Sequence, residues 1–223
     1  MQNVIASLNA DGNDISSMLR KKVAVSSDES TVSVHYVGDD NDTDQSGFDM
    51  EVISLAKPQV NEGNYLKRND YDFEEGSFSF DLDMPTNSYE FQFNVKLGDN
   101  NFDVQNKIAR LINQSDIGLL AEVRLDNHGQ SALRIESKQT GLAADEDAIF
   151  SIHSGTSWNE INKLGIAHVT SPASNSIFRL NGQEHSSLSN TFTINRSFEV
   201  TMHDSAEATG SPVHIGFMAN TAA

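Results

Sequence analysis

Asp39, Asp40, Asp42, Asp44, Asp49 and Glu51 crowd one stretch of the chain, YVGDDNDTDQSGFDMEV (Tyr36–Val52). Counted from Asp40, carboxylates fall at positions 1, 3, 5 and 12, most of the ligand ladder of a calcium-binding EF-hand. The ladder breaks at position 6, where the tight turn needs glycine and the chain has Gln45. An EF-hand also needs a helix on each side, whereas both flanks here alternate apolar and polar residues, the period of strands. Glu51 falls on the second of those strands, opposite its apolar residues, and is expected to face water. The stretch is therefore expected to be a solvated connection between strands, with a cation site on Asp39–Asp44 as the alternative. Its aspartates repel neighbouring copies at low salt, which makes it a poor subunit interface.

Other chemistry is sparser. His35, His128, His153, His168, His185, His203 and His214 form no pair at the helical i, i+4 spacing. His35 and His203 occupy polar positions of strand patterns and His128 lies in a turn, so all seven are expected to be surface or structural residues. The chain has no glycine-X-serine-X-glycine elbow and no phosphate-cradling glycine loop followed by a lysine-bearing helix. With 32 acidic residues, a glycosidase-like carboxylate pair has no distinguishing signal. Trp158 is the only tryptophan, so a stacking platform for sugars or bases is poorly supplied. No catalytic, cofactor-binding or metal-ligating residue is expected, no cofactor is implied, and the chain is not expected to be an enzyme.

The elements that would position such groups are mostly strands. Val32, Val34 and Tyr36 alternate on one face of STVSVHYV, and Phe48, Met50 and Val52 do so in GFDMEVISL. GSFSFDLDM (Phe78, Phe80, Leu82, Met84) and SYEFQFNVKL (Tyr89, Phe91, Phe93, Val95, Leu97) are expected to form a hairpin about the turn at Pro85–Ser88. The period then changes. In NNFDVQNKIARLINQSDIG, Val104, Ile108, Leu111 and Ile112 line one face of a helix that Asn100 or Asn101 caps, with Asp103 at its positive end and Gly118 beyond its close. Strands resume in LLAEVRLD and SALRIESK, joined at Asn127–Gln130, and then in AIFSIHS. TSWNEINKLGI is expected to be a short helix carrying Trp158, Ile161 and Leu164. SIFRLNGQEH, NTFTINRSFEVTMHD and PVHIGFMAN complete the strands, and DISSMLRKK near the start is expected to be a short helix capped by Asp14.

The fold class is therefore α+β and β-rich: antiparallel sheets with one main amphipathic helix packed on a sheet, in two subdomains. The expected division is a strand-rich part at 1–75 that pairs with 173–223, and a middle part at 76–172. Its boundaries are the polar stretch Lys67–Gly76 and the small residues of Thr170–Ser176. A formal charge of −17 over 223 residues argues against nucleic acid and anionic membrane as partners. Cysteine is absent, which excludes disulfides and thiolate sites. No apolar run approaches the roughly 20 residues that span a bilayer. The N-terminus lacks the basic and long apolar regions of a cleaved secretory signal.

Two sets of residues carry a resemblance. Val52, Leu55, Ala56 and Gln59, preceded by Ser26, Ser27 and Asp28, resemble a strand motif and its serine-rich lead-in in the filament-capping proteins of bacterial flagella (hook-associated protein 2). The stretch from Phe91 to Gly141 resembles the flagellin hook IN motif. There a strand leads through Gly98 and Asp99 into a helix ending at Ile112 and Asn113. A hairpin then closes with Ser137, Lys138, Thr140 and Gly141. Leu164–Ile166 and the later FRLNGQEHSSLSNTFT and FEVTMHD fit in family order, so the resemblance runs over roughly Val23 to Phe217.

It implies a structural protein: the exposed part of a filament cap, extracellular and exported without a cleaved signal. Its implied partners are flagellin, other hook-associated proteins and further copies of itself. The alternative is an adhesin or binding module, with calcium as a possible aid. Family members flank this region with long terminal helices, and no heptad pattern precedes Ser30 or follows His214. The chain is therefore expected to be a fragment of a longer protein or a member without those arms.

Overall fold

A computed structural model describes residues 23–38, 46–203 and 211–218. The acidic loop Asp39–Asp44 and the short helix expected near Asp14 lie outside the described residues. The chain forms two compact units, one from the segments up to Leu55 and from Ile177 onward, the other from Ala56–Ser176.

In the first unit, β1 (Ala24–Ser26), β3 (Phe48–Ser54), β11 (Ser176–Leu180), β12 (Gln183–Ser187) and β15 (Val213–Phe217) form a sheet in the order β1-β15-β3-β11-β12. A second sheet runs β13 (Thr191–Ile194), β14 (Phe198–Met202), β2 (Val32–Tyr36). All its pairings are antiparallel. The period-two apolar residues meet inside: Val32, Phe48, Met50, Val52, Phe178, Phe198, Val200 and Ile215 are buried in one cluster. Phe198 packs edge-on against Phe48 and Tyr36, a geometry that places ring edges on the negative ring faces.

The second unit holds the expected hairpin. β6 (Gly76–Asp83) and β7 (Ser88–Val95) pair from Gly76–Val95 to Asp83–Ser88, and β10 (Ser151–His153) adds to the other side of β6. A further sheet has β9 (Gln130–Thr140) at its centre, with β4 (Pro58–Glu62) and β5 (Leu66–Lys67) on one edge and β8 (Leu119–Leu125) on the other. Helix α1 (Asn101–Ser115) packs across β8 and β9. It begins with a reciprocal cap: Asn100 Oδ1 accepts from Asp103 N at 2.9 Å, and Asp103 Oδ2 accepts from Asn100 N at 3.1 Å. Val104, Ile108 and Ile112 are fully buried with Phe80, Leu82, Leu133 and Ile135. Leu111, expected on the same stripe, is only partly buried, and Ala109 joins the buried set instead.

Helix α2 (Trp158–Leu164) buries Ile161 and Leu164, but Trp158 is 65% exposed. At the first position of a two-turn helix, only the residues one turn further on reach the core. The helix ends at Gly165, whose φ of +69° is a left-handed closure that favours glycine. Gly63 lies under its last turn; a Cβ there would stand 2.2 Å from the Leu164 carbonyl oxygen.

The polar stretch Lys67–Gly76, expected as a boundary, lies inside the second unit, and so do the preceding residues from Ala56. Its ties explain this. Phe73 is buried in the second unit's core. Asn101 receives Asp72 N at 3.0 Å and donates to the Lys67 carbonyl at 2.9 Å. Lys163 Nζ donates to the Asp72 carbonyl at 2.6 Å. Sequence polarity marked exposure here, while backbone anchoring decided membership.

Candidate functional site

The outer face of the β10-β6-β7 sheet gathers the side chains that come nearest to a catalytic set. His153 stands across from Asp81, and Asp81 across from Glu90. His153 Nε2 lies 3.3 Å from Asp83 Oδ2 and 3.2 Å from Ser151 Oγ. Serine, histidine and aspartate are thus together, but both contacts fall on the same ring nitrogen. A working triad needs the carboxylate on one nitrogen, to orient the ring, and the hydroxyl on the other, to lose its proton. His153 is also exposed, so no enclosed dipole stands ready to stabilise a developing charge. This cluster is a polar surface ladder.

The second candidate is an open groove of about 470 Å³ beside β8, lined by Asn113, Leu120, Glu122, Arg134, Glu136 and Lys138 among others. Neighbours within and across the strands fill it with ion pairs: Arg134 Nη1 lies 3.5 Å from Glu122 across the β8–β9 pair and pairs with Glu136 on its own strand. Arg124 Nε is 2.6 Å from Glu122 on β8, and Lys138 Nζ is 3.3 Å from Asp116. Such pairs on an exposed sheet contribute little individually and leave no cation uncommitted for a substrate. At the groove's inner wall, Asn113 Nδ2 donates to the Ala121 carbonyl and Asn113 Oδ1 accepts from Ala121 N, both at 2.8 Å. One side chain therefore completes the outer edge of β8 as a strand residue would.

The residues singled out from the sequence take structural places. Gln59 is buried: its Nε2 donates to the Phe150 carbonyl at 2.7 Å and to Asn61 Oδ1 at 3.0 Å, while its Oε1 accepts from Ile149 N at 2.8 Å. Asn61 Nδ2 donates onward to the Ile166 carbonyl at 3.0 Å. Leu55 and Ala56 are buried too. Asp28 accepts from the hydroxyls of Ser30 and Thr31, both at 2.6 Å, which hold its carboxyl below the usual range. Gly98 takes a φ of +91° and Asp99 turns back to accept from Lys96 N at 2.6 Å while pairing with Lys107. Ser137 Oγ accepts from Gln59 N at 2.9 Å. Each of these closes a turn or fills a core.

Glu51, expected to face water, is half-buried on β3, with Oε2 3.1 Å from Arg179 Nη1. Residue order holds no sign of this, because Arg179 is distant in the chain and meets Glu51 only through the β3–β11 register. His214 Nδ1 is 2.9 Å from Asp49 Oδ1, and Ser33 Oγ is 2.8 Å from His203 Nε2. Among the described residues, no group of three or more His, Cys, Asp or Glu side chains could hold a metal ion, and no helix is long and apolar enough to cross a membrane.

No protein-family model matches this sequence, and no curated protein sequence matches it. Solved structures do match, and they define a class: the chain has the β-rich α+β fold of flagellar cap protein domains. The D1-D2-D3 domains of the flagellar cap protein FliD from Escherichia coli align over 92% of this chain and 61% of theirs, with 15% identity and a TM-score of 0.68. The D2-D3 domains alone, from the same organism, align over 89% of this chain and all of theirs, with 15% identity and a TM-score of 0.65. FliD from Bdellovibrio bacteriovorus aligns over 86% of this chain and 99% of that one, with 18% identity and a TM-score of 0.56. At such identities the likeness is one of fold, and the chain spans about three fifths of the three-domain E. coli structure.

Proposed function

We propose that this chain is the exposed portion of a bacterial flagellar filament cap, of the hook-associated protein 2 kind, which self-associates and assists flagellin assembly. The observation that carries the reading is coverage: 89% of this chain aligns with the whole of the E. coli D2-D3 structure. The sequence resemblance supports it independently, since the residues of both motifs serve as turn closures and core contacts of this fold. The surface agrees, because among the described residues the clusters of acid, base and hydroxyl side chains at β10-β6-β7 and β8-β9 form ladders and ion pairs. On this reading the partners are flagellin, other hook-associated proteins and further copies of the chain, outside the cell at the filament tip. A ring of copies would bury a heterologous interface on each subunit.

Removal of residues 56–176 in frame from the gene in its own bacterium tests the reading. Filaments are expected to shorten or vanish while unassembled flagellin accumulates in the medium and hooks remain. Filaments of normal length with no flagellin in the medium overturn it.

A further inference from the structure

Among the described residues β7 pairs with β6 alone, leaving its other edge open. The Met84–Asn87 backbone bonds (2.8 and 3.3 Å) that close the turn set the alternation of the ladder. The backbone groups of Tyr89, Phe91 and Phe93 face β6, and those of Ser88, Glu90, Gln92 and Asn94 face away. One outward group meets a partner within the chain: the Asn94 carbonyl accepts from Lys107 Nζ at 3.1 Å.

Sheets protect such edges with lysine, proline, bulges or a covering element. The strand SYEFQFNV contains neither lysine nor proline, and its register with β6 runs unbroken over the full eight residues. By contrast, Asn113 covers the edge of β8 at Ala121.

The open strand is complementary to itself. Run antiparallel to a second copy about a two-fold axis at Phe91, it sets Glu90 opposite Gln92, Ser88 opposite Asn94, and Tyr89 opposite Phe93. Outward backbone groups then meet outward groups, as a ladder requires, and the apolar side chains of both copies stay on the same sheet face. Each carboxylate faces an amide donor rather than another carboxylate. We infer that β7 is a homodimer contact, in which two copies pair β7 against β7 and join their three-stranded sheets into one. Asp81 stands across from Glu90 in each copy, so joining two copies gathers like charges, and added salt strengthens the contact. The contact closes at two copies. It is distinct from the ring contact of the cap reading and does not rest on that reading.

Sedimentation equilibrium of the full chain, over a wide concentration range at low and high salt, tests this. A dimer that tightens with salt is expected. Gln92→Pro removes an N–H that the monomer does not use, and should abolish the dimer with a melting temperature near that of the wild type. Gln92→Glu sets carboxylates against each other twice per dimer and should weaken it about fivefold at low salt. A monomer under all conditions overturns the inference. So does a dimer that persists in a folded Gln92→Pro variant, or one whose affinity Gln92→Glu leaves unchanged.

Discussion

Arg196 adopts a φ of +58° next to Asn195 at +50°, in the turn between β13 and β14 that the Ser197 N–Ile194 O bond closes at 3.1 Å. Asparagine tolerates this region and glycine prefers it, whereas an arginine Cβ crowds the backbone. Arg196→Gly is accordingly expected to stabilise the first unit by about 1 kcal/mol, read as a shift of the urea midpoint at constant slope. Asp99 offers a test with a pH sign. The Lys107 ammonium, and then the Lys96 N–H, hold its carboxyl below the ordinary value. A folded pKa depressed in this way adds stability above the unfolded value, near pH ~3.9, that is lost as pH falls through the folded one. Asp99→Asn is expected to flatten the acid limb of a plot of Tm against pH below about pH 4. An unchanged limb would assign the acid loss to other carboxylates. At this scale, turn chemistry was legible in sequence: Gly98, Asp99 and Asn100 announce themselves by type. The roles of Gln59 and Asn113 were not: Gln59 satisfies the Ile149 amide and the Phe150 carbonyl, some ninety residues away, and Asn113 meets Ala121 only because the chain reverses from α1 into β8.

Helix α1 shows how far periodicity carries an element. Its cap and the burial of Val104, Ile108 and Ile112 follow from residue types at helical spacing. Ile108 is fully buried among apolar neighbours. Ile108→Asp should cost about 3–5 kcal/mol through an uncompensated buried charge, leaving the second unit unfolded or nearly so by circular dichroism. Wild-type stability in that variant would mean the face is not in the core. The same face buries Asn101 and Gln105, which the apolar stripe omits. Gln105 Nε2 donates to the Ser131 carbonyl at 2.8 Å, and only the placement of β9 under the helix supplies that acceptor. Helix α2 shows the converse: Trp158 fits the apolar pattern by type, but a helix of seven residues presents too narrow a face to bury its first position.

At the scale of the whole molecule, two cores organise the chain, one in each unit. The second unit is a continuous segment, Ala56–Ser176, with its own sheets, helices and buried cluster. That segment is expected to fold alone, with cooperative urea unfolding and protected amides in β9 and α1; a disordered fragment would show that it depends on the rest of the chain. The sequence by itself determined the fold class, the main helix and most of the strands, because side-chain periods of 2 and 3.6 residues are local consequences of backbone geometry. It missed the short strands β1 and β5, and β4, which buries the polar Gln59 and Asn61. It also excluded the familiar catalytic motifs, since those depend on fixed local spacing. Tertiary structure alone decided that Ala56–Gly76 belongs to the second unit, that Glu51 meets Arg179, and that β7 ends a sheet with its outer edge open. These are facts of which distant segments meet, and residue spacing along a chain holds no record of that. The acidic stretch that most resembles a metal site is read against an EF-hand from sequence alone, by Gln45 where a glycine is required; Asp39–Asp44 lie outside the described residues.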